Sequence, residues 1–230
     1  MTVIANRINR VLSSADRAPA SVEEVAHAEI ESAIEADVET ANRLASHLAG
    51  KRVATLSRSG TVHRALTRGS PEAILVAESR PGGEGREVAH QLRLAYAVEA
   101  PVSLTSDAAF AYELQDWGAD VLAVGADSIL ADGSLLNKVG TRSAALACAY
   151  EGIDVFVGAA TDKIRPDTTV DLEPRDPSEL SEQDGLDVLN PTFDVTPPDV
   201  LTVVTERGVL ETEAIRELAA EHARQATWDE

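Results

Sequence analysis

The sequence predicts an α/β fold: a Rossmann-like parallel sheet preceded by a short helical segment. Three observations predict it. Short apolar runs recur from Arg52 onward and alternate with stretches of helical periodicity, the pattern of a doubly wound parallel sheet. The first 50 residues carry apolar positions at helical spacing and no strand-like run. Hydrophobic content of 44% with only 3% aromatics specifies a core packed from aliphatic side chains.

Taken in order, residues 1–50 form the truncated helical segment and residues 51–230 the sheet domain. Ser21, followed by Glu23 and Glu24, starts a helix with acids at the positive end of its dipole. Ile30, Ile34, Val38, Ala41, Leu44, Ala45 and Leu48 then share a face, and Gly50 stops the helix. Ser13–Ala20 breaks the periodicity and reads as a linker. Strands follow at Arg52–Leu56, Ala73–Ala77, Val102–Leu104, Val121–Val124, Asp154–Gly158 and Leu201–Val204. Helices fall at Thr61–Arg68, Arg86–Val98, Ala108–Gln115, Thr141–Tyr150 and Thr212–Gln225. Arg165–Pro198, rich in Pro, Asp and Glu, interrupts the alternation and reads as a long ordered excursion.

Composition excludes several classes. No apolar run approaches the ~18 residues that span a bilayer, so no membrane association is expected. The N-terminus has no sustained apolar stretch of a secretory leader, and Cys148 stands alone, which together imply a reducing cytoplasm. His27, His47, His63, His90 and His222 show no metal-ligand spacing, so neither a metal nor another cofactor is expected. The net charge of −19 argues against nonspecific binding of duplex nucleic acid. Only three of the 20 basic residues are lysines (Lys51, Lys138 and Lys163), a balance that suits a salt-rich cytoplasm. Stability is therefore expected to rise with KCl into the molar range, as the Debye length falls from about 30 Å at 0.01 M to about 3 Å at 1 M.

The chemistry concentrates at strand ends. Gly125-Ala126-Asp127 puts a carboxylate at the carboxyl end of a strand, where open α/β sheets bind ligands. Asp127 is either a general base or a carboxylate that caps backbone amides in the turn. Asn137 and Lys138 precede the Ala-rich helix, and free N–H groups at its start beside an ammonium form an anion site. Ser57, Arg58 and Ser59 occupy another strand-to-helix turn suited to an oxyanion. Arg80 either pairs with Glu78 or faces an anion, and Lys163 follows the strand ending at Gly158. Arg58, Arg80, Lys138 and Lys163 together imply a pocket for a phosphorylated small molecule.

The run from Gly125 to Thr141 resembles a signature shared by the alpha, beta and delta subunits of translation initiation factor 2B. Two sugar-phosphate isomerases, acting on ribose 1,5-bisphosphate and on 5-methylthioribose 1-phosphate, share it. Glu78-Ser79-Arg80-Pro81 with Glu84-Gly85, Thr161-Asp162-Lys163, Asn190–Pro198 and Thr205–Gly208 match in the same order. The resemblance implies that Ser57 replaces a cysteine that in the isomerases acts with the aspartate matching Asp127. A hydroxyl in that role needs an adjacent base, and no His or Glu neighbours Ser57 in sequence. Residues 1–50 also lack the Arg-Gly-Ala turn of the isomerases' helical domain.

These departures lead to the expectation of a non-catalytic regulatory subunit with a nucleotide or sugar-phosphate pocket. It would act as a homodimer or larger homo-oligomer, with a translation factor as a possible partner. The alternative is an aldose–ketose isomerase of a ribose phosphate, with Asp127 catalytic; a purely structural scaffold is the third reading. Asp194 and Glu206-Arg207-Gly208 read as structural, at a dimer interface in the family.

Overall fold

The computed structural model describes residues 2–14, 19–94, 99–183 and 185–226. Two helices lead, α1 (Thr2–Ser14) and α2 (Pro19–Leu48). Helix α2 starts two residues before the expected Ser21, at a proline, whose fixed φ suits a first helical turn. Residues 15–18 of the expected linker lie outside the described residues.

The sheet domain runs β1 (Arg52–Thr55), α3 (Gly60–Gly69), β2 (Ala73–Ala77), α4 (Glu84–Leu94), β3 (Val102–Thr105), α5 (Asp107–Asp116) and β4 (Val121–Val124). The last four residues of the helix expected at Arg86–Val98 lie outside the described residues. A hairpin follows, β5 (Ser128–Ile129) and β6 (Leu135–Lys138), then α6 (Thr141–Glu151) and β7 (Asp154–Gly158). After the excursion come β8 (Phe193–Thr196), β9 (Thr202–Thr205), β10 (Gly208–Leu210) and α7 (Thr212–Ala226).

Seven strands form the main sheet in the order β10-β9-β7-β4-β1-β2-β3, and every pair is parallel except β10 with β9. Successive strand residues face opposite sides, which sorts the core into two layers. Val53, Ile74, Val76, Val121 and Ala123 pack with Leu44, Leu48, Leu66 and Leu92 of α2, α3 and α4. Ala54, Leu75, Leu122, Val124 and Val157 pack with Leu114, Ala145, Cys148 and Ile215 of α5, α6 and α7. Cys148 is one of these packing groups, and burial pushes its thiol up to about 12, so it stays protonated.

The topology positions the site. From β1 the chain winds outward through β2 and β3, then returns to β4 on the other side of β1. The switch in direction opens a crevice beyond the carboxyl ends of β1 and β4. Leu56-Ser57 leaves one strand there and Gly125-Ala126-Asp127 leaves the other.

Helix α6 begins differently from the expected anion site. The Asp194 carboxylate, on β8, accepts from the backbone N–H of Gly140 at 2.7 Å and of Arg142 at 3.1 Å. A carboxylate of the chain itself thus occupies two of the N–H groups at the positive end of the helix. These two residues belong to β6 instead, which pairs antiparallel with β5 and β8 in a second, three-stranded sheet. Burial pushes the Asp194 carboxyl up, and the two N–H groups oppose that. Asp194→Ala removes these charge-assisted bonds and should destabilise the fold by about 1.5–3 kcal/mol. Urea unfolding checks this; an unchanged midpoint would contradict the capping role.

Candidate functional site

A cavity of about 610 Å³ fills the crevice, within the range of small-molecule sites. Ser57, Arg58, Ser59, Asp127, Asn137, Lys138 and Lys163 all line it. Arg80 does not. Its backbone N–H is held by Asp107 at 2.6 Å, and its guanidinium lies exposed, 3.9 Å from Glu78, which also pairs with Arg86. The expected fourth cation from that motif is replaced by Arg175, which reaches the cavity from the long excursion.

The wall after β1 is built on backbone conformations that side chains seldom adopt. Ser57 and Ser79 have φ of 64° and 66°, in the left-handed region that costs a non-glycine residue energy. Polar contacts hold both. The Ser79 hydroxyl accepts from the Ser57 N–H at 2.7 Å and donates to Ala77 at 3.0 Å, while the Asp107 carboxylate accepts from the Ser79 N–H at 2.7 Å. Ser59 caps α3 by accepting from the Val62 N–H at 3.3 Å. Its Oγ would lie 2.5 Å from a side-chain carbon on Gly125, so the glycine before Asp127 lets the two strand ends close together.

The carboxylate that Ser57 lacks as a sequence neighbour arrives through the fold. Ser57 Oγ donates to Glu84 Oε1 at 3.2 Å, and Lys138 Nζ pairs with the same oxygen at 2.8 Å. Glu84 opens α4, 27 residues from Ser57, and the turn after β2 swings it across the cavity. The Glu84-Gly85 pair stood in a recognised motif, but nothing local showed which strand end it would face. Asp37 of α2, with Thr192 and Phe193 before and in β8, were missed in the same way.

Asp127 faces Ser57 across the crevice from the end of β4. Among the described residues its carboxylate makes no hydrogen bond; the turn is closed by its N–H donating to Leu136 at 3.1 Å. Of the two roles open to it in sequence, the turn-capping one therefore lacks its hydrogen bonds. Loss of surrounding water raises its carboxyl above the ordinary range although its side chain faces the open cleft, and Lys163 and Lys138 act in the opposite direction. Lys163 Nζ donates to the Ala126 carbonyl. Burial pushes that ammonium down, opposed by Asp127 and Asp37. Asn137 is buried and donates to Thr141 Oγ1 at 3.0 Å, a bond that fixes Lys138 beside it rather than aiming the amide at a ligand. Among the described residues there is no cluster of ligand-type side chains for a metal ion, and no helix is long and apolar enough to cross a membrane.

The arrangement is that of an open α/β protein with acid–base groups and cations at a topological switch point. The chain belongs to the initiation factor 2 subunit family, whose sequence model matches residues 1–212. It is 38% identical to the ribose 1,5-bisphosphate isomerase of Haloferax volcanii over 165 residues, 67% of this chain and 50% of that protein. It is 34% identical to the methylthioribose-1-phosphate isomerase of Acaryochloris marina over 175 residues, 71% of this chain and 49% of that one. Matched regions thus span about half the length of these curated relatives. Among solved structures, the Pyrococcus horikoshii translation initiation factor eIF-2B superposes with a TM-score of 0.73 at 28% identity, covering 82% of this chain and 69% of that one.

The relatives correct the expectation of a non-catalytic regulatory subunit. Five archaeal proteins between 34% and 38% identical are each named ribose 1,5-bisphosphate isomerase, which favours the enzyme reading. One of the two departures behind that expectation was the lack of a His or Glu beside Ser57 in sequence, and the fold brings the Glu84 carboxylate to its hydroxyl.

Proposed function

We propose that the chain is an aldose–ketose isomerase of a phosphorylated ribose, with ribose 1,5-bisphosphate as its substrate. The carrying observation is the opposition of Ser57–Glu84 and Asp127 across one crevice among Lys138, Lys163, Arg58 and Arg175. Isomerisation breaks the bond from C1 to the ring oxygen, which takes up a proton; it moves a proton from C2 to C1, and the C2 hydroxyl gives up its own proton to leave a carbonyl at C2. Asp127, whose carboxyl is pushed up by loss of water, takes the C2 proton and returns one to C1. Ser57, oriented by the Glu84 carboxylate that Lys138 also pairs with, relays the other proton from the C2 hydroxyl to the ring oxygen, giving up its own and taking one back. The remaining cations hold phosphate oxygens by charge-assisted hydrogen bonds. The steps are proton transfers and the opening of one C–O bond, so the isomerisation calls for no external oxidant or reductant.

Incubation of the purified chain with ribose 1,5-bisphosphate, followed by phosphorus NMR, tests this. Replacement of the aldose signals by those of the ketose bisphosphate is expected, and unchanged signals would contradict it. As a base, Asp127 must be ionised, so kcat/KM falls as pH drops through its pKa. Lys163 holds that pKa down, so Lys163→Met should move the acid limb to higher pH; an unmoved limb would assign the limb to another group.

The enzyme is proposed to act in a salt-rich cytoplasm, in keeping with its charge of −19, and as a homo-oligomer. Exposed Leu146 and Tyr150 on α6 support association, and sedimentation velocity decides it.

A further inference from the structure

Helix α1 makes polar contacts with partners more than a hundred residues away, and they converge on one edge of the crevice. Asn6 is buried, and its Nδ2 donates to the carbonyls of Asp162 and Ile164, each at 2.9 Å. Those two carbonyls flank Lys163. Arg7 and Arg10 both pair with the Asp162 carboxylate, and both reach Glu29 of α2 at 3.0 Å. Thr2 Oγ1 lies 2.6 Å from the hydroxyl of Ser128, the residue after Asp127. A single helix therefore touches the immediate neighbours of both Asp127 and Lys163.

We infer that α1 is a brace that sets the Asp127–Lys163 pair, with Asn6, Arg7 and Arg10 as positioning residues. The turn it grips, Thr161–Lys163, is a single 3₁₀ turn that cannot fix its own side chains. Glu206 anchors its first residue, accepting from the Thr161 N–H at 3.0 Å and from its hydroxyl. His222 Nδ1, 2.9 Å from the Ile164 carbonyl and 3.2 Å from Asn6, joins α7 to the same contact. Without Asn6 and the two arginines, the turn that carries Lys163 keeps His222 on the Ile164 carbonyl but loses every contact from α1. Buried Asp162 would lose both of its ion-pair partners, so the turn must rearrange toward water.

The geometry of Lys163 stands independently of the reaction; the effect on turnover rests on the isomerase reading. The scarcity of lysine makes the test direct, because only Lys51, Lys138 and Lys163 contribute signals when lysine side chains are labelled with carbon-13. Spectra of the full chain are compared with those of Asn6→Ala and of the milder Arg10→Gln, with Lys163→Arg assigning the signal. Expected is displacement of the Lys163 resonance, with its titration midpoint rising toward that of an exposed lysine as burial relaxes, while Lys51 and Lys138 stay in place. In step, KM for ribose 1,5-bisphosphate should rise about tenfold in Asn6→Ala with a smaller change in kcat, the loss of about one good hydrogen bond. A Lys163 signal unchanged in both variants would overturn the brace, as would equal displacement of Lys138. Absence of turnover in the unsubstituted chain would contradict the isomerase reading alone, and the lysine spectra would still decide the brace.

Discussion

Asp127→Asn is expected to lower turnover of ribose 1,5-bisphosphate by about 10²–10⁴-fold, the usual contribution of one positioned acid–base group. The substitution keeps size and shape and removes only the ability to exchange a proton at that position. Its structural cost is small, because among the described residues the carboxylate accepts no hydrogen bond that the amide would lose. The two consequences thus separate cleanly. Melting should stay within a few degrees of the parent chain while kcat collapses. Retention of full kcat would remove Asp127 from the chemistry and leave it a solvated residue at a strand end.

Gly85→Ala should have the largest effect on stability. A side-chain carbon there would sit 1.8 Å from the Ala77 carbonyl oxygen and 2.8 Å from Ser79 Oγ. The first obstacle is backbone at the end of β2, which cannot swing aside like a flexible side chain. Helix α4 must therefore lift from the sheet, breaking the bond from the Gly85 N–H to Glu78. Overpacking of a core costs about 1–3 kcal/mol, and a clash with backbone belongs at or beyond the upper end. A loss of about 3 kcal/mol lowers the melting temperature of a chain this size by about 6–12 °C. Because Glu84 is the preceding residue, displacement of α4 also pulls its carboxylate from Ser57 and Lys138, so activity should fall with stability. Calorimetry showing an unchanged melting temperature would mean that α4 does not pack this tightly on β2.

The parts legible in the sequence share a physical cause. Strands β2 and β4 are apolar runs buried on both faces, β7 is apolar after Asp154, and their bounds, Ala73–Ala77, Val121–Val124 and Asp154–Gly158, coincide with the residues read from the sequence. Local pattern suffices where each strand is fully apolar. The second sheet was invisible because β6 carries Asn137 and Lys138 and pairs with β8 nearly sixty residues on, so no short window records the pairing. The same non-locality hid Glu84. Sequence adjacency was the wrong test for a partner to Ser57, since the turn after one parallel strand faces the turn after its neighbour. Arg80 failed for the opposite reason: its motif neighbours do shape the site, but the bond from its N–H to Asp107 turns the guanidinium outward.

On the isomerase reading, the crevice between β1 and β4 holds the sugar phosphate with its reacting carbons between Asp127 and Ser57. A crystal structure of the Asp127→Asn protein with ribose 1,5-bisphosphate tests it most directly, because the slowed enzyme should retain the substrate. Expected are the sugar in this crevice, C1 and C2 beside residue 127, and phosphate oxygens within hydrogen-bonding distance of Lys163 and Arg175. A sugar seated elsewhere, or one in the crevice with C1 and C2 turned away from residue 127 and Ser57, would contradict it.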